Sequence, residues 1–395
     1  MKLLVYSHFF APSIGGVESI VHSLASGLAE HRTPEGTPEF DLTVVTETPA
    51  GDFDDHSLAF RVVRQPGLFH LWSLVRASDV IHVAGPALLP LFLARLARKP
   101  AVIEHHGYQT ICPNGILVHQ PDRSICPGHF QAGRYAECLR CNAQETSWLR
   151  SCANLLLMFP RRALARRSEA NIAVSQHVLQ RLAMPHASVI YHGVEDLLSN
   201  TLIPQPIPPS SGKICFAYVG RLVQEKGIPI LLQAAQKLIG EGRQFEVLLI
   251  GDGPERTKLE AMIVREHLES RVQITGYLTG SALMGAMRDV HVVVMPSIWE
   301  ETAGLTAIEQ MMRGRLVITS DIGGLGEIVS DAGLRCAPGN ADALADRMRE
   351  ALQNPTLLDC YGGKARERAL HLFRRGQMIE EHARVYRQVF REQRG

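Results

Sequence analysis

Short apolar runs alternate with amphipathic helical stretches along most of this 395-residue chain. One such stretch, Val17–Glu30, carries apolar residues three and four positions apart, so one side of the helix has to be buried. Apolar strands alternating with helices are typical of a parallel sheet covered on both faces, which predicts an α/β fold. The strands predicted in the first half are Leu3–Ser7, Asp41–Thr46, Asp79–Val83, Ala101–Glu104, Asn171–Val174 and Ser188–Tyr191.

The pattern stops at a proline- and serine-rich segment, Pro204–Gly212, and then starts again. This predicts two Rossmann-like domains, residues 1–200 and 213–376, joined by a linker at 201–212. Ligands of such sheets bind at the carboxyl ends of the strands, so a cleft between the two domains is the expected site. The second-half strands are Ile214–Val219, Phe245–Ile250, Val272–Thr275, His291–Met295 and Leu316–Ser320, with helices near 227–240, 254–267, 279–288, 304–313 and a final one at Gln377–Glu392.

The charge, the apolar stretches and the first residues of the chain restrict the expected partners and cellular location. The net charge of +1 gives no bulk attraction to nucleic acid or to a membrane. Apolar stretches such as Leu88–Leu93 are too short to span a bilayer. The first residues are typical of a strand and not of a signal peptide. We therefore expect a cytoplasmic protein with mostly reduced cysteines.

The most informative motif runs from Pro296 to Glu309, PSIWEETAGLTAIE, where a predicted strand passes into a helix. Glu301 and Glu309 are eight positions apart and are predicted to face one pocket. Carboxylates accept hydrogen bonds from sugar and ribose hydroxyls. A helix N-terminus is predicted here, and it presents the backbone N–H groups of Gly304, Leu305 and Thr306. Such N–H groups favour binding of a phosphate.

A second motif, Val219–Gly227, follows the first strand of the second half and contains Gly220, Arg221 and Lys226. A guanidinium and an ammonium together can neutralise a diphosphate leaving group. Negative charge grows on such a leaving group as its bond breaks, so the pair would stabilise the transition state more than the ground state.

These two motifs resemble those of the family-4 retaining glycosyltransferases, which have the GT-B fold: two Rossmann-like domains facing each other across a cleft. The resemblance implies that Glu301 contacts the donor sugar, Glu309 the ribose, and the amides of Gly304 and Leu305 the diphosphate. It also implies that the final helix, 377–395, packs back on the first domain. The chain departs from the family pattern at Ala303, Leu316 and Gly326, and one extra residue separates Ser297 from Glu301.

Other strand-end segments match the same family. Gly276 and Tyr277 resemble a turn that contacts the nucleobase through backbone atoms. Gly15 and Gly16 precede a helix, where they allow close backbone approach to the donor diphosphate or the acceptor. The Gly15–Gly16 loop can also be a plain structural turn, as can Ile250–Pro254.

Two histidines follow a strand of the first half, in Glu104–Gly107. By resemblance His106 lies near the reacting sugar, and a satisfied structural histidine is an equal alternative. His105 is the weaker candidate. Tyr191–Glu195 is interpreted as a turn.

Four of the eight cysteines fall within thirty residues, in an insertion at about 107–142. Cys112, Cys126, Cys138 and Cys141 suit a structural zinc site with four thiolate ligands, with free cysteines as the alternative. We expect no catalytic metal, because no pair of carboxylates stands where a diphosphate-bound Mg²⁺ would need it.

Residues 150–181 are rich in arginine and lie next to apolar Leu155–Phe159. This pattern is typical either of a peripheral contact with the inner face of an anionic membrane or of a solvated helix face.

The sequence therefore predicts a retaining glycosyltransferase that uses a nucleoside-diphosphate sugar. The acceptor is predicted to be a cell-envelope glycan, a lipid-linked intermediate or a secondary metabolite. An epimerase or hydrolase of the same fold and a non-catalytic sugar-nucleotide-binding protein are the alternatives. The sequence does not indicate which sugar, base or acceptor the protein uses, or its oligomeric state.

Overall fold

The computed structural model describes residues 1–198 and 213–393, so the predicted linker at 201–212 lies outside the described residues. The chain forms two compact units. The first contains Met1–Gly193 together with the C-terminal Arg375–Gly395, and the second contains Val194–Arg374.

The first unit is built on a seven-stranded parallel sheet with the strand order β3-β2-β1-β4-β5-β8-β9. The strands of the first unit are β1 (Lys2–Ser7), β2 (Asp41–Thr46), β3 (Arg61–Arg64), β4 (Val80–Ala84), β5 (Ala101–His105), the two-residue β6 (Val118–His119) and β7 (Ser124–Ile125), β8 (Ala170–Ala173) and β9 (Ala187–Val189). Its helices are α1 (Gly16–Glu30), α2 (Leu68–Ala77), α3 (Leu88–Leu96), α4 (Tyr135–Ala143), α5 (Trp148–Ala165) and α6 (Gln176–Leu182), with a 3₁₀ turn at Asp55–Ser57.

Burial explains why these segments form strands. Every residue of β4 and β5 is buried, as expected for central strands of a sheet that is covered on both faces. In α1 the apolar stripe includes Ile20, Leu24 and Leu28, each at most 2% exposed. The sequence missed β3, an edge strand of four residues with an arginine at each end.

The second unit has a six-stranded parallel sheet with the strand order β12-β11-β10-β13-β14-β15. Strand order reverses between β10 and β13, and the carboxyl ends at such a switch point form the usual ligand crevice of an open α/β sheet. The strands are β10 (Ile214–Val219), β11 (Phe245–Ile250), β12 (Val272–Gly276), β13 (Val292–Met295), β14 (Leu316–Ser320) and β15 (Leu334–Cys336). The helices are α7 (Ile228–Gly240), α8 (Arg256–Arg265), α9 (Gly280–Met287), α10 (Leu305–Met312), α11 (Gly323–Val329), α12 (Ala341–Gln353) and α13 (Thr356–Leu372), with a 3₁₀ turn at Gln224–Lys226.

The last helix, α14 (Arg375–Glu392), belongs to the first unit and packs against α1 and β4. Arg375 donates from Nε to Ser23 Oγ at 3.1 Å, and Arg387 pairs with Glu39 at 2.7 Å. Gly27 lets the two helices approach, because a Cβ at this position would collide with Ile379. None of the helices within residues 1–198 and 213–393 combines the length and the apolar character needed to cross a bilayer.

Candidate functional site

In the second unit, the loop after β10 and the loop after β13 are packed together through their backbones. The Ile298 N–H donates to the Glu225 carbonyl at 3.0 Å. Gly227 has φ +67°, and a Cβ there would run into the carbonyl of Pro296. The two motifs that the sequence singled out therefore meet at the switch point of the sheet.

A lysine–glutamate pair connects these two loops. Lys226 Nζ lies 2.9 Å from Glu301 Oε2, and the Ser297 hydroxyl donates to Glu301 Oε1. The Lys226 ammonium also lies 5.9 Å from the centre of the Trp299 ring. Glu301 is only 4% exposed. Both of its carboxylate oxygens are therefore held by the protein.

The backbone of Glu301 is fixed by two glycines. The Gly324 N–H donates to the Glu301 carbonyl at 2.6 Å. Gly323 has φ +60°, and a Cβ there would lie 2.6 Å from the same carbonyl oxygen. The start of α11 thus holds Glu301 in place, and only glycine fits at position 323.

Arg221 follows β10 and is anchored through its backbone, while its side chain is exposed. The buried Tyr218 hydroxyl donates to the Arg221 carbonyl at 2.7 Å. Burial raises the pKa of Tyr218 well above its usual value; the negative charge of Glu301 adds to this rise and Arg221 opposes it. Within the described residues, the Arg221 guanidinium makes no hydrogen bond or ion pair, so it is available to an anion.

Gly304 precedes α10 and adopts φ +82°, and a Cβ there would lie 2.6 Å from Leu325 Cδ1. The N–H groups of Leu305 and Thr306 begin the helix and so have no intrahelical acceptor, which suits a phosphate. Glu309 is exposed and lines a recess with Met312, Arg313 and residues 194–198. Glu301 is not among the residues lining that recess, although the sequence analysis expected both glutamates to face one pocket.

The ends of β10, β11 and β12 interlock through glycines. The Gly251 N–H donates to the Gly276 carbonyl at 2.9 Å, and a Cβ on Gly251 would collide with the Gly220 carbonyl. Gly276 has φ +78°, and the next residue, Tyr277, is 52% exposed. The turn after β11 therefore has a structural role, and Tyr277, which directly follows β12, is exposed to solvent.

In the first unit, Gly15 and Gly16 lie at the N-terminus of α1 as expected. The Glu18 carboxylate already occupies this turn: it accepts from Ser13 Oγ at 3.2 Å, and a Cβ on Gly15 would clash with it. A diphosphate that approaches the turn would meet this carboxylate.

The two histidines after β5 differ in their surroundings. His105 Nε2 lies 2.9 Å from Asn171 Oδ1, and the Asn171 amide donates to two backbone carbonyls. His105 is therefore a structural residue. His106 Nδ1 lies 3.3 Å from His192 Nε2, and His106 Nε2 lies 3.4 Å from Glu104 Oε2.

Glu104 is fully buried at the centre of four imidazoles. The distances from Glu104 Oε2 to Nε2 of His82, His106 and His382 are 3.4, 3.4 and 3.6 Å, and Oε1 lies 3.9 Å from Nε2 of His192. We call Glu104 with these four histidines the histidine cluster. One potential metal-ligand atom from each of Glu104, His106 and His192 lies within 4.8 Å of the other two. The centre of the cluster, however, is occupied by the Glu104 carboxylate itself.

Burial decides most of the charges in the histidine cluster. It lowers the pKa of His192 to about 3 and also lowers that of His82. Burial alone would raise the pKa of Glu104, but His106 and His382 hold it well below its usual range. The carboxylate is therefore ionised inside the first unit.

Sequence reasoning missed several of these residues. Ser297 lies inside the predicted motif, and its position four residues before Glu301 was a usable signal. His192 was interpreted as part of a turn, and its contact with His106 depends on the sheet. Tyr218, His82 and His382 carry no local signal for their roles.

Known proteins resemble this chain in sequence and in structure. Residues 199–368 match the model of the family described as glycosyl transferases group 1. The 2-deoxystreptamine glucosyltransferase of Streptomyces kanamyceticus is 35% identical over 149 residues, 37% of this chain and 38% of that protein. The chain thus matches well under half the length of this relative. The glycogen synthase of Mycobacterium tuberculosis is 25% identical over 411 residues, covering 98% of this chain and 94% of that protein.

Solved structures define the fold. The Anabaena protein HepE, in complex with UDP and glucose, has a TM-score of 0.73 at 20% identity and covers 98% of this chain and 100% of its own. The sucrose-phosphate synthase of Thermosynechococcus elongatus also has a TM-score of 0.73, at 21% identity, with 99% of both chains covered. This chain therefore has the GT-B fold with two Rossmann-like domains.

Proposed function

We propose that this protein is a family-4 retaining glycosyltransferase that moves a sugar from a nucleoside-diphosphate sugar to an acceptor hydroxyl. The observation that carries the proposal is the Lys226–Glu301 pair, which joins the two motif loops at the switch point of the second sheet. The exposed Arg221 guanidinium and the first turn of α10 follow the strands that flank this point. Such a site offers positive charge and N–H donors to a diphosphate and a carboxylate to a sugar.

In this proposal the diphosphate leaving group is stabilised by Arg221 and Lys226 rather than by a metal ion. Negative charge develops on the diphosphate as the glycosidic bond breaks, and fixed cations lower the energy of that state. Glu309 binds the ribose, and backbone atoms around Gly276 and Tyr277 contact the base. His106, which follows β5 in the first unit, has its two ring nitrogens against Glu104 and His192, so in this proposal it is a structural residue.

Glu301 acts as a binding group and not as a nucleophile. Lys226 and Ser297 hold its two oxygens, so neither lone pair is presented freely to an anomeric carbon. Retention then proceeds by front-face displacement: the acceptor oxygen bonds to the anomeric carbon on the side that the diphosphate leaves. The departing phosphate oxygen takes the acceptor proton, which balances the exchange.

Donor binding is tested with a thermal-shift panel of UDP, GDP, ADP, dTDP and their sugar conjugates, without added metal. UDP and UDP-glucose come first, because HepE has been solved with UDP, with UDP and glucose, and with UDP-glucose. Ligand at a hundredfold excess over its dissociation constant stabilises the folded state by about 2.7 kcal/mol. A selective shift that disappears in Arg221→Ala supports the site, and no shift with any nucleotide contradicts it.

Product analysis separates the transferase from its alternatives. A transferase consumes donor only when an acceptor hydroxyl is present. An epimerase or hydrolase changes the donor alone, and a non-catalytic binding protein gives a thermal shift without turnover. The acceptors to test are an aminocyclitol of the 2-deoxystreptamine type, a cell-envelope glycan and a lipid-linked sugar.

A surface of the first unit favours the lipid-linked acceptor and a cytoplasmic protein at the inner face of the membrane. The neighbouring helices α2, α3 and α5 expose large apolar side chains, among them Phe69, Leu149 and Leu156 at 88, 84 and 67%. We call these three helices the apolar–basic surface, because they also expose Arg76, Arg95 and Arg150. Apolar side chains flanked by arginines suit the headgroup region of an anionic membrane.

A further inference from the structure

The segment between β5 and α5 contains little regular structure, yet it buries four cysteines. The only strands among its described residues are β6 and β7, of two residues each, and α4 is its single helix. Cys112, Cys126, Cys138 and Cys141 are 6, 8, 6 and 8% exposed, and all are free thiols.

The four cysteines converge although three different parts of the segment carry them. Cys112 and Cys126 lie in loops on either side of the β6–β7 hairpin, where the Cys126 N–H donates to the Leu117 carbonyl at 2.7 Å. Cys138 and Cys141 are three positions apart on α4 and so share one face of that helix. All four line one small cavity, which has room for little more than a single water-sized sphere.

Backbone and side-chain donors are arranged around the sulfurs. The Gln120 N–H donates to Cys141 Sγ at 3.3 Å. The backbone N–H groups of Asn114, Gly115 and Leu117 lie against the Cys112 sulfur. N–H donors aimed at sulfur stabilise a thiolate, which is the form that binds a metal.

We propose that Cys112, Cys126, Cys138 and Cys141 bind one structural Zn²⁺ ion that holds this segment together. Four thiolates are a common ligand set for structural zinc, and the cavity is too small for an organic ligand. The proposal is independent of the glycosyltransferase function, because it concerns only how the segment after His106 is folded.

Zinc binding requires one local rearrangement. A Zn–S distance of about 2.3 Å sets tetrahedral sulfurs about 3.8 Å apart. The sulfurs are more widely spaced than that. Within residues 1–198 and 213–393, the one group with three ligand atoms within 4.8 Å of one another is Glu104, His106 and His192, so no three of the cysteine sulfurs lie that close together. The Asn114 amide reaches between two of them, with Oδ1 2.8 Å from Cys112 Sγ and Nδ2 3.8 Å from Cys141 Sγ. Zinc displaces this amide as the thiolates close in.

A structural zinc ion would stabilise the chain that directly follows His106. Three arginines of the first unit already bond the segment from outside: Arg161 to the Gln109 carbonyl, Arg162 to that of Thr110, and Arg181 to that of Cys126. These contacts hold the backbone near the start of the segment and at Cys126. A small apolar cluster packs Phe130 and Cys138 against Leu155 and Met158 of α5. The metal would connect the loops that carry Cys112 and Cys126 to α4.

The test is the metal content of the full chain, purified without chelators and measured by inductively coupled plasma mass spectrometry. We expect about one zinc per chain, its loss in Cys138→Ser/Cys141→Ser, and its retention in Cys215→Ala/Cys336→Ala. Cys215 and Cys336 are buried cysteines of the second unit and serve as matched controls. Zinc retained by the first double variant would overturn the assignment.

A second measurement uses the unaltered protein, in case the serine variant does not fold. The protein is grown with Co²⁺ in place of zinc and its absorption spectrum is recorded. Thiolate-to-cobalt charge-transfer absorption, together with protection of four thiols from a thiol reagent until a chelator is added, is the expected result. An unaltered protein without metal, whose four thiols react at the same rate with and without chelator, contradicts the proposal. Neither readout depends on activity.

Discussion

His382 Nε2 lies 3.6 Å from Glu104 Oε2, while His382 Nδ1 lies 2.8 Å from the backbone carbonyl of Met378. A carbonyl oxygen only accepts hydrogen bonds, so Nδ1 carries a proton. Nε2 faces the ionised Glu104 carboxylate across 3.6 Å, and this contact joins α14 to β5.

This pairing makes Glu104 and His382 energetically coupled. Glu104→Gln leaves the His382 imidazole without its carboxylate, and removing one partner of a buried pair costs about 3–5 kcal/mol. The double variant Glu104→Gln/His382→Gln removes both partners and should cost less than the sum of the two single changes. Urea denaturation of the four proteins measures this coupling. Simple additivity would show that the two groups are not coupled.

The stability of the first unit should fall as the pH drops below about 6.5. Burial lowers the pKa of His105 to about 4 and that of His192 to about 3, whereas both take up protons near pH 6.5 in the unfolded chain. Between these values the unfolded state binds more protons, so stability rises with pH. Each such histidine contributes a slope of about 1.4 kcal/mol per pH unit over its window.

Below about pH 4 the protonation of Glu104 adds to this loss, because its pKa is also lowered in the folded state. The other groups facing Glu104 are His82 on β4, His106, His382 and the Tyr386 hydroxyl, which lies 2.9 Å from His82 Nδ1. Denaturation at a series of pH values, with His192→Asn as comparison, measures the slope. A slope that is unchanged in His192→Asn would assign the pH dependence to other groups.

Arg221→Ala should lower turnover about 100- to 1000-fold, the range found when one preorganised charge-stabilising donor is removed. Its side chain is exposed, so the free energy of unfolding should change by no more than about 0.5 kcal/mol. Arg265→Ala is the matched control, since Arg265 is an exposed arginine of the same unit that pairs with the neighbouring Glu266 at 2.8 Å. Steady-state kinetics with near-normal turnover in Arg221→Ala would remove Arg221 from the mechanism.

Substitutions of the two glutamates of the motif, Glu301 and Glu309, should affect different kinetic quantities. Glu301→Gln weakens the contacts with Lys226 and Ser297 and should lower kcat more than donor affinity. Glu309→Gln, on the exposed face of α10, should weaken donor binding about tenfold, the effect of one hydrogen bond to a charged group, with a smaller effect on kcat. Calorimetric donor titrations beside kcat values test this, and identical profiles for the two variants would refute separate roles.

The apolar–basic surface should bind vesicles that contain anionic lipid. Burial of one leucine side chain contributes about 1.5–3 kcal/mol, so Leu149→Asp/Leu156→Asp should reduce vesicle binding at least tenfold. Added salt should weaken what binding remains, since arginine attraction is screened. Val264→Asp is the control, because Val264 is 59% exposed on α8 of the second unit. Equal sedimentation of all three proteins with phosphatidylglycerol vesicles would argue for a solvated surface.

Local patterning was enough to predict most of the two sheets. Strands such as β10 and β11 are apolar runs that begin and end where the sequence suggested. The edge strand β3 and the three-residue β15 were missed because short strands at a sheet margin bury too few residues to leave a run. Helices α12 and α13 were not predicted either.

The candidate site was only partly predictable. Arg221, Lys226 and Glu301 lie in motifs that can be recognised along the chain. The contact of Lys226 with Glu301 joins residues 75 positions apart and requires β10 and β13 to be neighbours. The histidine cluster could not be predicted from the sequence. Its members come from β4, β5 and the residue after it, the loop after β9 and α14, and no single histidine among them has a local sequence signal.

The place of α14 has a consequence for how the protein is made. Its residues 375–392 pack on α1 and β4 and supply His382 to Glu104, yet they are synthesised after the whole of the second unit. On the ribosome the second unit can fold as soon as it emerges, since all its strands lie in one uninterrupted stretch. The first unit, although translated first, waits with an uncovered helix face and without the His382 contact to Glu104 until α14 has been synthesised.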